Sequence, residues 1–193
     1  MIRKRFTRPK LHVSSESLKL YSFKLSDTSP EIRPKVKVEV TTHDRPLELI
    51  SLQPSLIEQR IAQGDKIFVA CYEEKPVAYL FTATRKCWVS EIQDLFIVAS
   101  REVYLYDAFT IAQYRGNRIY SFLLNNVVRF FKELAYSYAL IFSTASNISS
   151  IKGIEHTGFQ CYETIHFCNL LGMNIWNYKQ RNNDIQSRFS VET

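Results

Sequence analysis

Apolar and polar positions along this chain switch repeatedly between a period of two and a period near 3.6. Residues 18–24 alternate and predict a strand, as do residues 35–42, where Val36, Val38 and Val40 interleave with charges. Leu56, Ile57 and Ile61 have helical spacing and predict a helix over 51–63, stopped by Gly64. Residues 67–72 and 77–84 read as a hairpin around the turn at 73–76. A weaker strand follows at 92–98 and a strong one at 102–111. Ile119, Leu123, Val127, Phe130 and Leu134 form one stripe of a long helix over 119–134. Leu124, Val128 and Phe131 widen that stripe, so the helix is buried on most sides. Residues 138–144 form a continuous apolar strand, as burial on both faces requires. Ile148, Ile151 and Ile154 mark a short helix ended by Gly158, and 160–171 returns as a strand. Residues 172–193 carry Trp176 and Tyr178, then turn polar and are expected to fray. This order predicts one mixed α/β domain with an antiparallel front.

Composition supports that reading. The chain has 193 residues, 46% of them hydrophobic and 23% charged, enough for one core and too apolar for a disordered chain. The net charge of +6 is uneven. Arg3, Lys4, Arg5, Arg8 and Lys10 lie in the first ten residues with no acid, which leaves 20 bases against 19 acids elsewhere. A nearly neutral body argues against a nucleic-acid-coating protein. Residues 1–17 therefore read as a flexible basic segment, 18–178 as the domain and 179–193 as a polar tail. Cys71, Cys87, Cys161 and Cys168 show no paired spacing and no histidine partners, so no metal site is expected. Cys71 and Cys161 sit in apolar runs and read as small core residues. A reducing, cytoplasmic setting fits them. There is no signal-like apolar run behind the N-terminal charges and no stretch of eighteen apolar residues, hence no expected membrane span.

Residues 104–124 carry the chemistry. A strand rich in aromatics, Tyr104-Leu-Tyr-Asp-Ala-Phe-Thr, runs through a polar turn containing Gly116 into the buried helix. A helix start offers unpaired N–H groups and a positive dipole end, which favour an anion. Arg115 and Arg118 stand at that end, where cations oppose the dipole and do little for the helix itself.

This stretch resembles the acyl-CoA-binding motif of the GNAT N-acyltransferase superfamily, an aromatic strand followed by Arg-Gly-x-Gly-x-Gly/Ala and a helix. Residues 147–159, from Asn147 to Gly158-Phe159, resemble the second motif of that family, and the hairpin at 67–84 resembles its upstream strands. The resemblance covers residues 49–167 and implies a single-domain, mostly antiparallel sheet flanked by helices. A bacterial subgroup active in polysaccharide or modified-peptide biosynthesis has similar wording. The donor implied is acetyl-CoA or a longer acyl-CoA. Its contacts would be Phe109, Thr110 and Ile111 on the strand, with main-chain N–H groups near Phe109 and Ile111 receiving pantetheine and the thioester oxygen. Arg115, Gly116, Asn117, Arg118, Ile119, Tyr120 and Ser121 would hold the phosphates, with Asn147 nearby as a helix cap.

Arg118 and Tyr120 stand where the family keeps small residues. Arg118 then pairs with phosphate by its side chain, and Tyr120 either covers the ligand or narrows the site. This departure makes an acyl-carrier protein an alternative donor. Ile154 occupies the position of the family's frequent acid tyrosine. The resemblance implies direct attack of an amine, on a small molecule or peptide, on the thioester. Asp107 is the candidate base, a carboxylate between aromatic neighbours. Tyr162 is the candidate acid, since residues 162, 164 and 166 share a strand face and Tyr162 points the same way as His166. The abundant aromatics are core or the lining of a fatty-acyl tunnel. A non-catalytic acyl-CoA-binding module and an RNA-directed acylating enzyme are the competing readings. Monomer and homodimer both stay open.

Overall fold

The computed structural model describes residues 13–43, 52–170, 173–179 and 184–190. The strands are β1 (Val13–Lys24), β2 (Glu39–His43), β3 (Lys66–Tyr72), β4 (Lys75–Ala83), β5 (Cys87–Val89), β6 (Asp94–Ile97), β7 (Glu102–Thr110), β8 (Tyr138–Thr144), β9 (Gln160–Leu170), β10 (Met173–Lys179) and β11 (Arg188–Phe189). The helices are α1 (Pro54–Ala62), α2 (Ile119–Glu133) and α3 (Ile148–His156). Eight strands form one sheet in the order β10-β9-β1-β8-β7-β4-β3-β2, and β11-β6-β5 form a small second sheet. Every pairing in the large sheet is antiparallel except β7 with β8. This is the mixed, mostly antiparallel α/β architecture that the sequence predicts.

Strand alternation assigns each layer its side. Phe68, Ala70, Leu80, Val103 and Leu105 face α2 and α3 and pack on Ile119, Leu123, Leu124, Val127, Ile151 and Ile154. Ile67, Val69, Tyr79 and Phe81 face the other way, onto Ile57 of α1. The small sheet covers the rest of that second face. Its Cys87, Val89 and Phe96 pack with Leu18, Leu20, Tyr104 and Leu140.

Several expectations change. The predicted strand at 35–42 shortens to Glu39–His43. The Lys35 N–H donates instead to the Asn117 carbonyl at 3.0 Å, tying this segment to the turn before α2. β5, β10 and β11 are additional strands. Met173–Lys179, at the end of the expected domain, form β10, whose Trp176 indole donates to the Ile92 carbonyl at 2.9 Å, and residues expected to fray beyond it are also packed. Ile185 and Phe189 are buried, and the buried Glu102 accepts from the N–H groups of Gln186 and Ser187 at 2.8 and 3.0 Å. The basic segment at 1–10 lies outside the described residues.

Two bulges matter for the site. In β9, Leu20 opposes Glu163 while Tyr21 opposes Cys161, so Tyr162 is an extra residue. The regular alternation of 162, 164 and 166 therefore fails. Tyr162 is buried with Ile165 and Phe167, whereas His166 is half-buried beyond them and bonds the Ser17 hydroxyl at 2.9 Å. Cys161, read as a core residue, is exposed for the same reason. In β7, Phe81 opposes Tyr106 but Tyr79 opposes Phe109, and Asp107 takes a left-handed conformation with φ 46°. Among the described residues no helix is long and apolar enough to cross a membrane, and no group of three or more His, Cys, Asp or Glu is arranged to hold a metal ion.

Candidate active site

A cleft opens where β7 and β8, the only parallel pair among the described residues, separate. β7 and β8 are paired from Glu102 with Tyr138 to Leu105 with Ile141. Beyond that vertex β7 follows β4 to Thr110, and β8 follows β1 to Thr144. Backbone groups on the facing edges of the two strands then lack each other as partners. The Ile111 N–H donates to the Val77 carbonyl at 2.9 Å, and Phe109 lies two residues back in the same phase, opposite Tyr79. This register narrows the expected use of the N–H groups near Phe109 and Ile111: the N–H groups of those two residues face β4, and that of Thr110 between them faces the cleft. Arg115 Nε donates to the Thr110 carbonyl at 3.0 Å from that open side.

The cleft continues into a cavity of about 780 Å³. Ala108, Phe109 and Thr110 form one wall, Tyr114 to Ser121 the turn and helix start, and the α3 segment from Asn147 to His156 the other wall. Of the expected ligand contacts, Phe109, Thr110, Arg115, Gly116, Arg118, Ile119, Tyr120, Ser121 and Asn147 line it. Ile111 and Asn117 do not. Ile111 packs against the core, and Asn117 holds the turn by donating from Nδ2 to the Tyr114 carbonyl at 3.1 Å.

The turn is built to present N–H groups. Gly116 (φ 78°) and Arg118 (φ 61°) are both left-handed, and Arg118 caps α2 without a side-chain bond. The first helical bond runs from the Phe122 N–H to the Arg118 carbonyl, so the N–H groups of Ile119, Tyr120 and Ser121 precede it. A left-handed non-glycine residue costs about 1–2 kcal/mol. Arg118 accepts that conformation while its side chain stays exposed at the cavity. Arg115 is fixed by its bond to Thr110 and lies 6.0 Å from the Phe109 ring centroid. α3 adds Lys152 and His156 on one stripe, and every charged side chain in the lining is basic. Asn147 caps α3, as expected, by accepting from the Ser150 N–H at 3.1 Å. The donor set therefore suits a phosphate-bearing ligand.

Tyr120 is turned against α3. Its hydroxyl lies 3.3 Å from Ser150 Oγ, and burial pushes its pKa up to about 12. The Ser121 hydroxyl donates to the Gly153 carbonyl at 3.0 Å. A methyl group on Gly153 would come within 2.5 Å of the Tyr120 ring, so the glycine leaves room for the tyrosine.

On the opposite face of the sheet, the β7 bulge aims Asp107 at α1. Arg60 Nη1 donates to Asp107 Oδ2 at 2.5 Å. The same guanidinium lies over the rings of Phe81 and Tyr106, 4.5 and 5.1 Å from their centroids. The Tyr106 hydroxyl donates to the buried Asp65 at 2.5 Å, and Arg85 grips Asp65 with two bonds of 3.0 and 2.7 Å. Asp65, Arg60 and Arg85 escape sequence reasoning, because their partners are 20 to 47 residues away. Lys152 and His156 were detectable only as an i, i+4 pair on a helix beginning with Asn147.

Tyr162 is not brought to the cleft. It stands on β9, and β1 and β8 lie between β9 and β7. Three strand spacings separate them, about 14 Å. Ile154, in place of the acid tyrosine, is wholly buried under α2.

Residues 35–159 match the model of the acetyltransferase (GNAT) family. Solved structures with a similar fold include a Drosophila protein at 10% identity and TM-score 0.55, covering 83% of this chain and 52% of that one. A GNAT-family acetyltransferase from Colwellia psychrerythraea matches at 11% identity and TM-score 0.51, over 88% of this chain and 57% of that one. A GCN5-related N-acetyltransferase from Kribbella flavida matches at 11% and 0.51, over 80% and 58%. At such identities the likeness is one of fold, and this chain spans somewhat over half the length of those proteins. No curated protein matches the sequence. The matched span holds the diverging strands, the left-handed turn and both helices around the basic cavity, and the chain belongs to the GNAT acetyltransferase family.

Proposed function

We propose that the protein moves an acyl group from acyl-CoA to a primary amine of a small molecule or peptide, by direct attack of the amine on the thioester. The observation that carries this reading is the continuity of the strand cleft with a cavity whose charged lining is wholly basic. The pyrophosphate belongs at the N–H groups of 119–121 with Arg115 and Arg118. The pantetheine arm then runs back along β7, with the thioester oxygen on the Thr110 N–H. Lys152 and His156 extend the basic lining along α3, which favours a donor that carries a nucleotide over a carrier-bound phosphopantetheine.

Holding amine and thioester together supplies the largest share of the rate, up to about 7–11 kcal/mol in well-oriented systems. An alkyl amine is mostly protonated near neutrality, its reference pKa being about 10.4. Asp107 is the group proposed to take that proton. Arg60 occupies Oδ2 and fixes the carboxylate at the bulge, leaving Oδ1 for the acceptor.

The test is calorimetric titration with CoA, followed by thioester consumption from acetyl-CoA against a panel of amines. Arg115→Ala and Arg118→Ala are each expected to weaken CoA binding by about 1–3 kcal/mol. Asp107→Asn is expected to lower kcat by about 100-fold or more while CoA still binds. Unchanged affinity in both arginine variants removes the phosphate site. Binding without consumption by any amine replaces the enzyme with an acyl-CoA-binding module, and consumption only from acylated carrier protein replaces the donor.

A further inference from the structure

The vertex of the cleft is walled by aromatic rings. Leu105 and Ile141 are its last paired residues, and Tyr106 and Phe142 are the first residues beyond it on each strand. The Tyr106 ring is stacked on Tyr104 (5.7 Å between centroids, 16° between planes), and Tyr104 packs on Phe142 at 4.7 Å. Phe142 meets Phe96 edge-on at 4.7 Å, and Phe189 from the C-terminal strand closes on both, at 4.9 Å from Phe96 and 5.7 Å from Phe142. Phe96 and Phe189 are completely buried, so the wall is backed by core. The Tyr106 ring is also held at its far end by Asp65, which Arg85 holds in turn. Swinging it aside would strand a buried carboxylate's hydrogen bond. On the helix side of the vertex, Leu105 and Ile141 are packed against the α2 core.

With the donor arm running back along β7 as proposed above, a thioester seated on the Thr110 N–H points its acyl group at this vertex. We propose that Tyr106 and Phe142 are the residues that set donor chain length, and that they restrict the donor to short acyl groups of two or three carbons. This inference rests on the acyl-CoA reading above. A longer chain must displace rings that are fixed by one another, by Phe96 and Phe189, and by the Asp65 bond. Overpacking of that kind costs as much as the extra methylenes would gain, or more.

The experiment compares equilibrium binding of CoA, acetyl-CoA, butyryl-CoA and octanoyl-CoA to the full chain. Octanoyl-CoA is expected to bind at least about tenfold more weakly than acetyl-CoA, the discrimination a tight apolar site achieves. Phe142→Ala is expected to bring that ratio below about threefold, and Phe142→Leu to give an intermediate ratio. Octanoyl-CoA binding to the unaltered chain as tightly as acetyl-CoA overturns the length limit alone, and this comparison needs no variant to fold. A ratio unmoved by either substitution overturns the assignment to Phe142. Failure to bind CoA or any acyl-CoA overturns the acyl-CoA reading, and the length limit with it.

Discussion

Tyr120 stands where the pattern that residues 115–120 resemble keeps a small residue, and Gly153 is what accommodates it. The Tyr120 ring fills the space between α2 and α3 that a side chain at position 153 would otherwise take. This makes the sign of a single substitution depend on its neighbour. Gly153→Ala is expected to destabilise the native chain by about 1–3 kcal/mol, because the tyrosine ring must shift. In a Tyr120→Ala background the same change is expected to stabilise by up to about 1 kcal/mol, the helix preference of alanine over glycine. Chemical denaturation of the four proteins measures the coupling, and the same sign in both backgrounds would show that the two residues do not compete for space. Gly153 carries no readable signal by itself in the sequence, since its reason lies 33 residues upstream in another helix.

At the scale of elements, the sequence made the helices and the turn before α2 readable because both depend on local spacing. Ile119, Leu123 and Val127 specify α2 without knowledge of what covers them, and Asn147 caps α3 within three residues of its own position. Strand neighbours are a different kind of information. A period of two assigns faces but not partners, so nothing between Leu18 and Lys24 says that β1 lies between β8 and β9. Each bulge reverses faces beyond it, which is how Cys161 came to be exposed and Tyr162 to part from His166. The separation of β9 from β7 by β1 and β8 has a kinetic consequence. Tyr162→Phe is expected to keep kcat within about threefold of the unaltered protein, since its strand lies about 14 Å across the sheet from β7. A drop of about a hundredfold, with the alkaline limb of the pH profile lost, would instead place that hydroxyl in proton transfer.

At the scale of the whole molecule, the titration of buried groups predicts how stability responds to alkali. Burial pushes Cys87 from 9.0 up to about 11, and pushes Tyr79 and Tyr120 from 10.0 up to about 12. Above pH 9 the unfolded chain therefore loses protons that the folded chain retains, and stability falls as pH rises. The contribution of these groups is fully present below pH 9 and disappears progressively between about pH 9 and 12. Melting temperatures measured from pH 8 to 11 should decline, and Cys87→Ala should flatten the early part of the decline. A flat profile would mean that these side chains reach solvent. The same molecule has a distinctive assembly problem. β1 is drawn from residues 13–24, yet its two partners are residues 138–144 and 160–170. On a ribosome adding about 5–20 residues per second, the strand waits on the order of ten seconds for its second neighbour. During that interval Leu18, Leu20, Tyr21 and Phe23 have no sheet to enter, and both backbone edges of the segment are open to any other extended chain. The middle of this sheet is thus protected only once β9 has been made, and a nascent chain halted before residue 160 is expected to aggregate more readily than the full chain.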